Sequence, residues 1–229
     1  MLILGIDTSC ASAGAALIES DGAGNYSILG SVAQADKRTH SVKLLPEIQV
    51  LTESLGVKTG QIGLICVTSG PGSFTGLRIG ASTAKTMAWA LGIHVAGVNT
   101  LDALADPLPE DGRLVLSMID ARNLRAYGCL YSDGKPAMKP LVDKVSGIVD
   151  AIPDGLAVRR IEVRGDVLRN EEVKKILTAN EKYEFLTDGG YLYPDPVRVA
   201  ALGMKAYDAA PDKSAFAPEK LSLDYMKDW

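Results

Sequence analysis

The residues whose types and spacing could support chemistry lie first in a glycine-rich turn, residues 69–76, with the sequence Ser-Gly-Pro-Gly-Ser-Phe-Thr-Gly. An apolar run at 64–67 predicts a buried strand before the turn, and a helix is predicted from Leu77 to Leu91 after it. Glycines allow the backbone angles of a tight strand-to-helix turn, and Ser73 or Thr75 can cap the helix. Because amides at a helix N-terminus can cradle a phosphate, the turn is a candidate phosphate-binding loop.

The spacing of the glycines argues against a nucleotide-binding fingerprint. Gly70, Gly72 and Gly76 are one residue too far apart for the dinucleotide motif. The next predicted strand, 95–98, also ends without the acidic residue that would bind a ribose. No Lys-Ser or Lys-Thr pair follows Gly76, which excludes a Walker loop. Phosphate binding is therefore the less favoured interpretation of the turn.

The helix after the turn indicates a second possible role. Small residues recur every four positions along it, at Gly76, Gly80, Ala84 and Ala88. This spacing places them on one face, where they form a ridge that lets another helix approach closely. The partner could belong to this chain or to another protein, and the sequence leaves both open.

Composition limits the classes of function. The chain has 229 residues, 47% hydrophobic and 23% charged, as in an ordinary globular protein. Its net charge of −4 argues against a free-standing nucleic-acid binder, which usually presents a basic surface. Three distant cysteines predict neither disulfides nor a CxxC metal site, so a reducing cytoplasm is the expected location. With no basic leader and no apolar run of about 18 residues, we expect neither secretion nor membrane insertion.

The predicted elements form two similar sets. The first contains strands and helices at 2–6, 15–18, 26–34, 40–55, 62–68, 77–91 and 94–98. After the acidic, proline-rich segment 106–112, the second contains elements at 114–119, 125–131, 138–143, 146–151, 160–164, 168–178, 183–186 and 196–207. Two such lobes predict the α/β fold of actin-like ATPases and sugar kinases, which is ribonuclease H-like, with lobes at 1–106 and 107–229. The last helix and the tail can pack back on the first lobe.

In an active enzyme of this fold, the first hairpin of each lobe wraps nucleotide phosphates and an acid positions the metal. Asp7, Thr8 and Ser9 partly meet that requirement, whereas the second hairpin at Asp120 has no glycine and carries two arginines. We therefore expect a degenerate nucleotide cleft and no cofactor. Asp7 is more simply explained as a hydrogen-bonded carboxylate at a strand end than as a metal ligand.

Histidines and nucleophiles offer little for catalysis. His40 and His94 are the only histidines, so a multi-histidine zinc site is not available. No Gly-x-Ser-x-Gly elbow marks a nucleophile. His40, with Lys37, Arg38 and Lys43, could touch a phosphate or an acidic partner, or could form an ordinary solvated surface.

The first predicted helix has an apolar stripe at helical spacing. The stripe consists of Leu44, Ile48, Leu51 and Leu55. It can be buried against the sheet of its own lobe. Val42 and Leu45 lie off the stripe and leave apolar surface for a second contact.

These segments together resemble the TsaB (YeaZ) family, whose members are partner proteins in threonylcarbamoyladenosine synthesis on tRNA. The resemblance rests on residues 4–9, 40–46, 69–80, 97–101 and 119–127. Its most specific part is Gly-Pro-Gly-Ser-Phe-Thr-Gly-Leu-Arg at 70–78. Beyond residue 134 the resemblance is diffuse, and the tail at 221–223 departs from the family's usual tyrosine-leucine-arginine ending.

The resemblance implies a non-catalytic subunit that binds TsaD, with TsaE joining the assembly, for modification of the adenosine beside the anticodon of ANN-reading tRNAs. TsaD carries a His-x-x-x-His metal pair where this chain has Thr100 and Leu104, so metal-assisted transfer is not expected here. The resemblance also implies contact through the helices beginning near His40 and Leu77. It further implies self-association through the same surface without TsaD, and only indirect contact with tRNA.

We accordingly predict a partner interface on these two helices. Its residues are His40, Leu44, Leu45, Ile48, Leu51, Gly76, Arg78, Gly80, Ala84 and Met87. The alternative function is an autonomous ATP-dependent small-molecule kinase or ATPase that uses Asp7 and the turn at 70–76. A peptidase role is the least favoured, because neither a metal pair nor a nucleophile signature is present.

Overall fold

The computed structural model describes residues 1–34, 40–107, 112–156, 159–188 and 191–226, with the backbone alone at residues 40 and 41. Within these ranges the chain forms two compact units. The first unit comprises Met1–Ala103 and Pro194–Asp224, and the second comprises Leu104–Tyr193 with the last residues from Tyr225. Each unit is built on its own β-sheet.

The sheet of the first unit has five strands. They are β1 (Leu2–Asp7), β2 (Ala13–Ser20), β3 (Tyr26–Gln34), β4 (Ile62–Gly70) and β5 (His94–Asn99), in the spatial order β3-β2-β1-β4-β5. β1, β2 and β3 form an antiparallel meander, as the strong turn at 21–25 predicts, and β4 and β5 continue the sheet parallel to β1. The predicted bounds of β3 are confirmed.

Helices cover both faces of this sheet. The α-helices of the described chain are α1 (His40–Ser54), α2 (Phe74–Leu91), α3 (Thr100–Ala105), α4 (Val145–Asp150), α5 (Glu171–Thr178) and α6 (Pro196–Ala209). α1 and α2 pack on one face, where Leu4, Ile6 and Leu17 belong to their core. α6 packs on the other face, where Ile3 and Ile18 contribute to a second core. Burial of these apolar side chains on both faces is what holds the unit together.

The ends of α2 are set by capping. The Ser73 hydroxyl accepts a hydrogen bond from the Gly76 amide at 3.3 Å, and Gly92 ends the helix with a φ of 67°. α2 therefore begins three residues before the predicted start at Leu77, because the serine of the turn is the N-cap.

The second unit contains a mixed sheet of six strands. Its strands are β6 (Leu114–Asp120), β7 (Arg125–Ser132), β8 (Lys135–Pro136), β9 (Leu141–Lys144), β10 (Arg160–Arg164) and β11 (Glu184–Leu186). The order is β11-β10-β6-β7-β8, and β9 also pairs with β7. Leu116 of the sheet, Ile148 of α4 and Leu177 of α5 belong to one buried cluster.

A buried arginine anchors the segment after α3. Arg164 at the end of β10 has only 3% of its surface exposed. Its guanidinium donates to the carbonyl oxygens of Ala105 at 2.6 Å and Pro107 at 2.8 Å, and to Glu162 at 2.7 Å. Because arginine normally indicates an exposed position, residue type alone does not predict this anchor.

The last helix and the tail belong to the first unit. The predicted lobes were 1–106 and 107–229, with the last helix and the tail able to pack back on the first lobe. The structure places Pro194–Asp224 with residues 1–103, in line with that packing. After two 3₁₀ turns, Lys213–Phe216 and Pro218–Lys220, the Asp224 amide donates to the Ser69 carbonyl oxygen at 2.8 Å. This tail segment therefore runs beside the end of β4.

Candidate partner-binding site

Asp7 ends β1 in a buried, hydrogen-bonded environment. Its Oδ1 accepts from the Ser9 amide at 3.1 Å, the Ser9 hydroxyl at 2.6 Å and the Thr68 hydroxyl at 2.8 Å. Asp7 is 1% exposed, and Thr68 and Ser9 are completely buried. Hydroxyl and amide donors stabilise a buried carboxylate. The arrangement corresponds to the structural role expected for Asp7.

The glycine-rich turn closes over the connection from β1 to β2. The Ser73 amide donates to the Ser9 carbonyl oxygen at 2.7 Å. A Cβ on Gly72 would lie 2.4 Å from that same oxygen, so only glycine permits this approach. Because the Ser73 amide already has a protein acceptor, it is not free to bind a phosphate. The geometry therefore disfavours the phosphate-loop interpretation of residues 69–76.

Asp120, the fourth residue of the expected nucleotide cleft, lies in the second unit and is exposed. Its carboxylate accepts from the Arg122 amide at 2.9 Å, and its own amide donates to Asp166 at 2.8 Å. Asp120 thus organises the β6–β7 turn.

The small-residue ridge of α2 faces its own unit. Gly76, Gly80 and Ala84 are all buried. A Cβ on Gly76 would lie 2.0 Å from the Thr8 carbonyl oxygen, and one on Gly80 would lie 2.3 Å from the Thr8 hydroxyl. The prediction that these three residues contact another protein is therefore wrong. Their small size lets α2 approach β1, which is the internal partner that the sequence left open.

The apolar stripe of α1 is also internal. Leu44, Ile48 and Leu51 are buried in the core shared with β1, β2 and β4. Their assignment to a partner interface is wrong for the same reason: burial in the unit's own core removes them from the surface. His40 begins α1, but its side chain lies outside the described part of the chain, as do Lys37 and Arg38.

The opposite faces of the same two helices carry side chains, most of them apolar, that are exposed or half-buried. We call this the outer surface, which consists of Val42, Leu45, Val50, Phe74, Arg78, Met87 and Trp89. Met87 lies at its margin, because it is half-buried and also packs against the unit's own core. Trp89 is 82% exposed and Leu45 is 54% exposed. Leu45, Arg78 and Met87 belong to the predicted interface, whereas Val50, Phe74 and Trp89 were missed. The signal for the missed residues was their position opposite the small-residue ridge and the leucine stripe.

A groove lies beside part of the outer surface, where Leu45 and Met87 line it. It has a volume of about 800 Å³ and is lined by residues that include Leu45, Gln49, Val57 and Met87. Further along α2, the Arg78 guanidinium lies 3.8 Å from the centroid of the Phe74 ring. Exposed apolar side chains beside a groove are typical of protein-binding sites.

The positions that correspond to the family's metal pair do not suit a metal. Thr100 and Leu104 lie on α3 and are 0% and 1% exposed. A leucine side chain has no ligand atom, and a threonine hydroxyl is not an imidazole, so these two residues do not fit a metal ion of the kind that a histidine pair binds. Across the described ranges, no three His, Cys, Asp or Glu side chains cluster as metal ligands. In the same ranges, no helix is long and apolar enough to cross a membrane.

Solved structures similar to this chain define the class of its fold. It resembles an uncharacterized Pseudomonas aeruginosa protein with similarity to peptidase YEAZ, with a TM-score of 0.79, 23% identity and 99% of both chains covered. For YeaZ from Pseudomonas aeruginosa the TM-score is 0.75 and the sequence identity is 23%. The alignment covers 98% of this chain and all of that one. For component A of Acidaminococcus fermentans (R)-2-hydroxyglutaryl-CoA dehydratase the TM-score is 0.56 and the identity is 11%. The alignment covers 92% of this chain and all of that one. The predicted two-lobed, actin-like α/β fold is confirmed.

Sequence comparison then identifies the family. Residues 27–205 match the family described as "TsaD: tRNA N6-adenosine threonylcarbamoyltransferase", and the chain belongs to this family. It is 35% identical over 131 residues to the Bacillus subtilis tRNA threonylcarbamoyladenosine biosynthesis protein TsaB, covering 57% of this chain and 55% of that protein. The predicted resemblance to TsaB (YeaZ) is confirmed.

More distant relatives include the transferase itself. The tRNA N6-adenosine threonylcarbamoyltransferase of Bordetella avium is 26% identical over 208 residues, which cover 79% of this chain and 60% of that enzyme. The chain spans about 55 to 66% of the length of the curated relatives it matches.

Proposed function

We propose that this chain is a non-catalytic subunit that binds TsaD. In that role it supports transfer of a threonylcarbamoyl group to the adenosine beside the anticodon of tRNAs that read ANN codons. TsaE joins the assembly, and catalysis lies on TsaD. Without TsaD, two copies of this chain associate through the same surface. The expected location is the cytoplasm.

The observation that carries the proposal is the outer surface of α1 and α2. Leu45, Trp89 and the groove expose apolar area that the chain's own core does not use. Burying such area against a partner contributes about 25 cal/mol per Å² before the costs of association are subtracted. A tryptophan that is largely exposed in the free chain is a good candidate for an interface anchor.

The site geometry supports an accessory role rather than catalysis. Asp7 is enclosed by Ser9 and Thr68, and the Ser73 amide is occupied by the Ser9 carbonyl oxygen. An ATP-dependent kinase or ATPase would need both groups turned toward phosphates or a metal. The side chains of Thr100 and Leu104 likewise do not suit the metal chemistry of a transferase.

Copurification with TsaD tests the proposal. We expect Leu45→Glu and Trp89→Glu each to reduce recovery of TsaD at least about tenfold, because each puts a charge into an apolar contact. Ile28→Glu is the matched control, since Ile28 is 59% exposed but lies on β3. Unchanged circular dichroism would exclude misfolding. Full TsaD recovery with both helix variants would overturn the assignment of the outer surface.

A further inference from the structure

The turn between β6 and β7 holds basic side chains on an unusual backbone. Three consecutive residues other than glycine, Arg122, Asn123 and Leu124, have φ values of 69°, 53° and 57°. Left-handed backbone is unfavourable for residues with a Cβ. It is held here because the Arg122 amide donates to Asp120 at 2.9 Å and the Arg125 amide donates to the Arg122 carbonyl oxygen at 3.0 Å. The backbone conformation at Arg122 is therefore supported by hydrogen bonds within the turn itself.

Two further basic residues face each other beside this turn. Arg125 on β7 pairs directly with Lys144 on β9 in an antiparallel register, and both are exposed. Like charges directly opposite each other in a sheet are destabilising. The next pair, Ala126 with Asp143, points to the other face because side chains alternate along a strand. Arg125 and Lys144 thus share a face without an acidic residue between them.

No carboxylate in the described part of the chain neutralises these three cations. Arg122, Arg125 and Lys144 form no ion pair there. The nearby Asp120 and Asp143 each accept a hydrogen bond through Oδ1 from a backbone amide, that of Arg122 and that of Lys144 respectively. Five other basic residues of the same unit do have acidic partners, namely Arg113, Arg160, Arg164, Lys174 and Lys182. Lys135, Lys139, Arg169 and Lys175 are not in these ion pairs, so what distinguishes the three cations is their position together beside one turn.

We infer that Arg122, Arg125 and Lys144 bind phosphate groups of RNA. Guanidinium and ammonium groups on an exposed polar turn suit phosphate oxygens, whose contacts with proteins are polar and strongly dependent on salt. With a net charge of −4, the chain as a whole does not attract a polyanion, so contact requires a local basic cluster. RNA is chosen over other polyanions because the proposed function acts on tRNA. The inference rests on that pathway and not on docking to TsaD, and it revises the expectation of only indirect tRNA contact.

Binding of the full chain to a fluorescent, unmodified tRNA transcript with an ANN-reading anticodon tests the inference. Anisotropy is measured between about 50 and 200 mM salt, where phosphate contacts lose affinity steeply. We expect Arg125→Ala to weaken binding about five- to tenfold at the lower salt and to reduce the slope of log K against log salt by about one. Arg160→Ala is the control, because Arg160 is exposed in the same unit but pairs with Glu184.

Lys144→Glu gives a test with two opposite readouts. It should weaken RNA binding more than Arg125→Ala, because it replaces attraction by repulsion. It should also raise the melting temperature by about 1–3 °C, since the introduced carboxylate would face Arg125 as a cross-strand pair of opposite charge. Loss of affinity in a more stable protein separates ligand binding from folding. Retained copurification with TsaD would show that docking is unaffected.

Several outcomes would overturn the inference. One is an absence of salt-dependent binding by the unaltered chain, and another is an equal loss of affinity with Arg160→Ala. Displacement of the transcript by polyglutamate as effectively as by unlabelled tRNA would assign the cluster to an acidic protein segment instead.

Discussion

The Thr8 hydroxyl donates a 2.7 Å hydrogen bond to the Gly76 carbonyl oxygen and thereby joins the end of β1 to the first turn of α2. Both residues are buried, and no side chain on Gly76 or Gly80 could fit between the two elements. This contact determines which face of α2 is internal. It consequently determines which face remains available to a partner.

Replacing Gly80 by alanine should destabilise the first unit. Alanine usually stabilises a helix by about 1 kcal/mol relative to glycine, but its Cβ would lie 2.3 Å from the Thr8 hydroxyl oxygen. We expect overpacking to dominate and the free energy of unfolding to fall by about 1–3 kcal/mol. Urea denaturation measures the change. Gly60→Ala is the control because nothing lies within 4 Å of its Cβ position, and a stabilising effect of Gly80→Ala would contradict the packing described here.

Arg164→Met should be among the most damaging substitutions in the second unit. The change removes the donors to Ala105, Pro107 and Glu162 and leaves their oxygens without this partner. Breaking a buried charged network typically costs about 3–5 kcal/mol. Arg160→Met on the same strand should cost less than about 1 kcal/mol, because its pair with Glu184 is exposed to solvent. Equal melting temperatures for the two variants would show that buried Arg164 contributes no more to stability than exposed Arg160.

Cys66 should be chemically inert in the folded protein and should make stability fall at high pH. Burial raises the pKa of the Cys66 thiol, and the nearby negative charge of Asp208 raises it further. The neutral thiol therefore contributes fully below the unfolded-state pKa of about 8.5, and its contribution declines by up to about 1.4 kcal/mol per pH unit above that value. Cys66→Ala should show a smaller loss of stability between about pH 8 and pH 10, because the titration of this thiol in the unfolded chain is removed.

Alkylation gives an independent check on the cysteines. Cys10, Cys66 and Cys129 are all buried, so iodoacetamide at neutral pH should label none of them in the native chain and all three in denaturant. Rapid labelling of Cys66 in the native protein, located by peptide mass spectrometry, would contradict the packing of β4 beneath α6.

The periodicity of apolar residues predicted where the helices and strands lie better than it predicted what each of them packs against. The strands Tyr26–Gln34 and Arg160–Arg164 follow from apolar patterning between turn residues. The same patterning identifies the leucine face of α1 and the small-residue face of α2. It does not distinguish whether Leu44 or Gly80 packs against the chain's own sheet or against another protein. That distinction depends on contacts with Thr8 and β1, which are remote from α2 in sequence.

Three further features of the structure could not be predicted because the nearby sequence contains no pattern that indicates them. α3 is only six residues long, which gives less than two turns for an apolar period to be recognised. The buried position of Arg164 depends on carbonyl oxygens about 60 residues earlier in the chain. The left-handed run at Arg122, Asn123 and Leu124 contains no glycine to mark it.

The first unit is interrupted in sequence, because α6 covers the far face of a sheet whose strands are complete by Asn99. During synthesis on the ribosome, residues 104–193 emerge before the helix that closes this sheet. The second unit can therefore mature while Ile3 and Ile18 still lack their cover. Nascent chains stalled before residue 194 should thus expose one apolar sheet face to chaperones, although their second unit already has most of its own core.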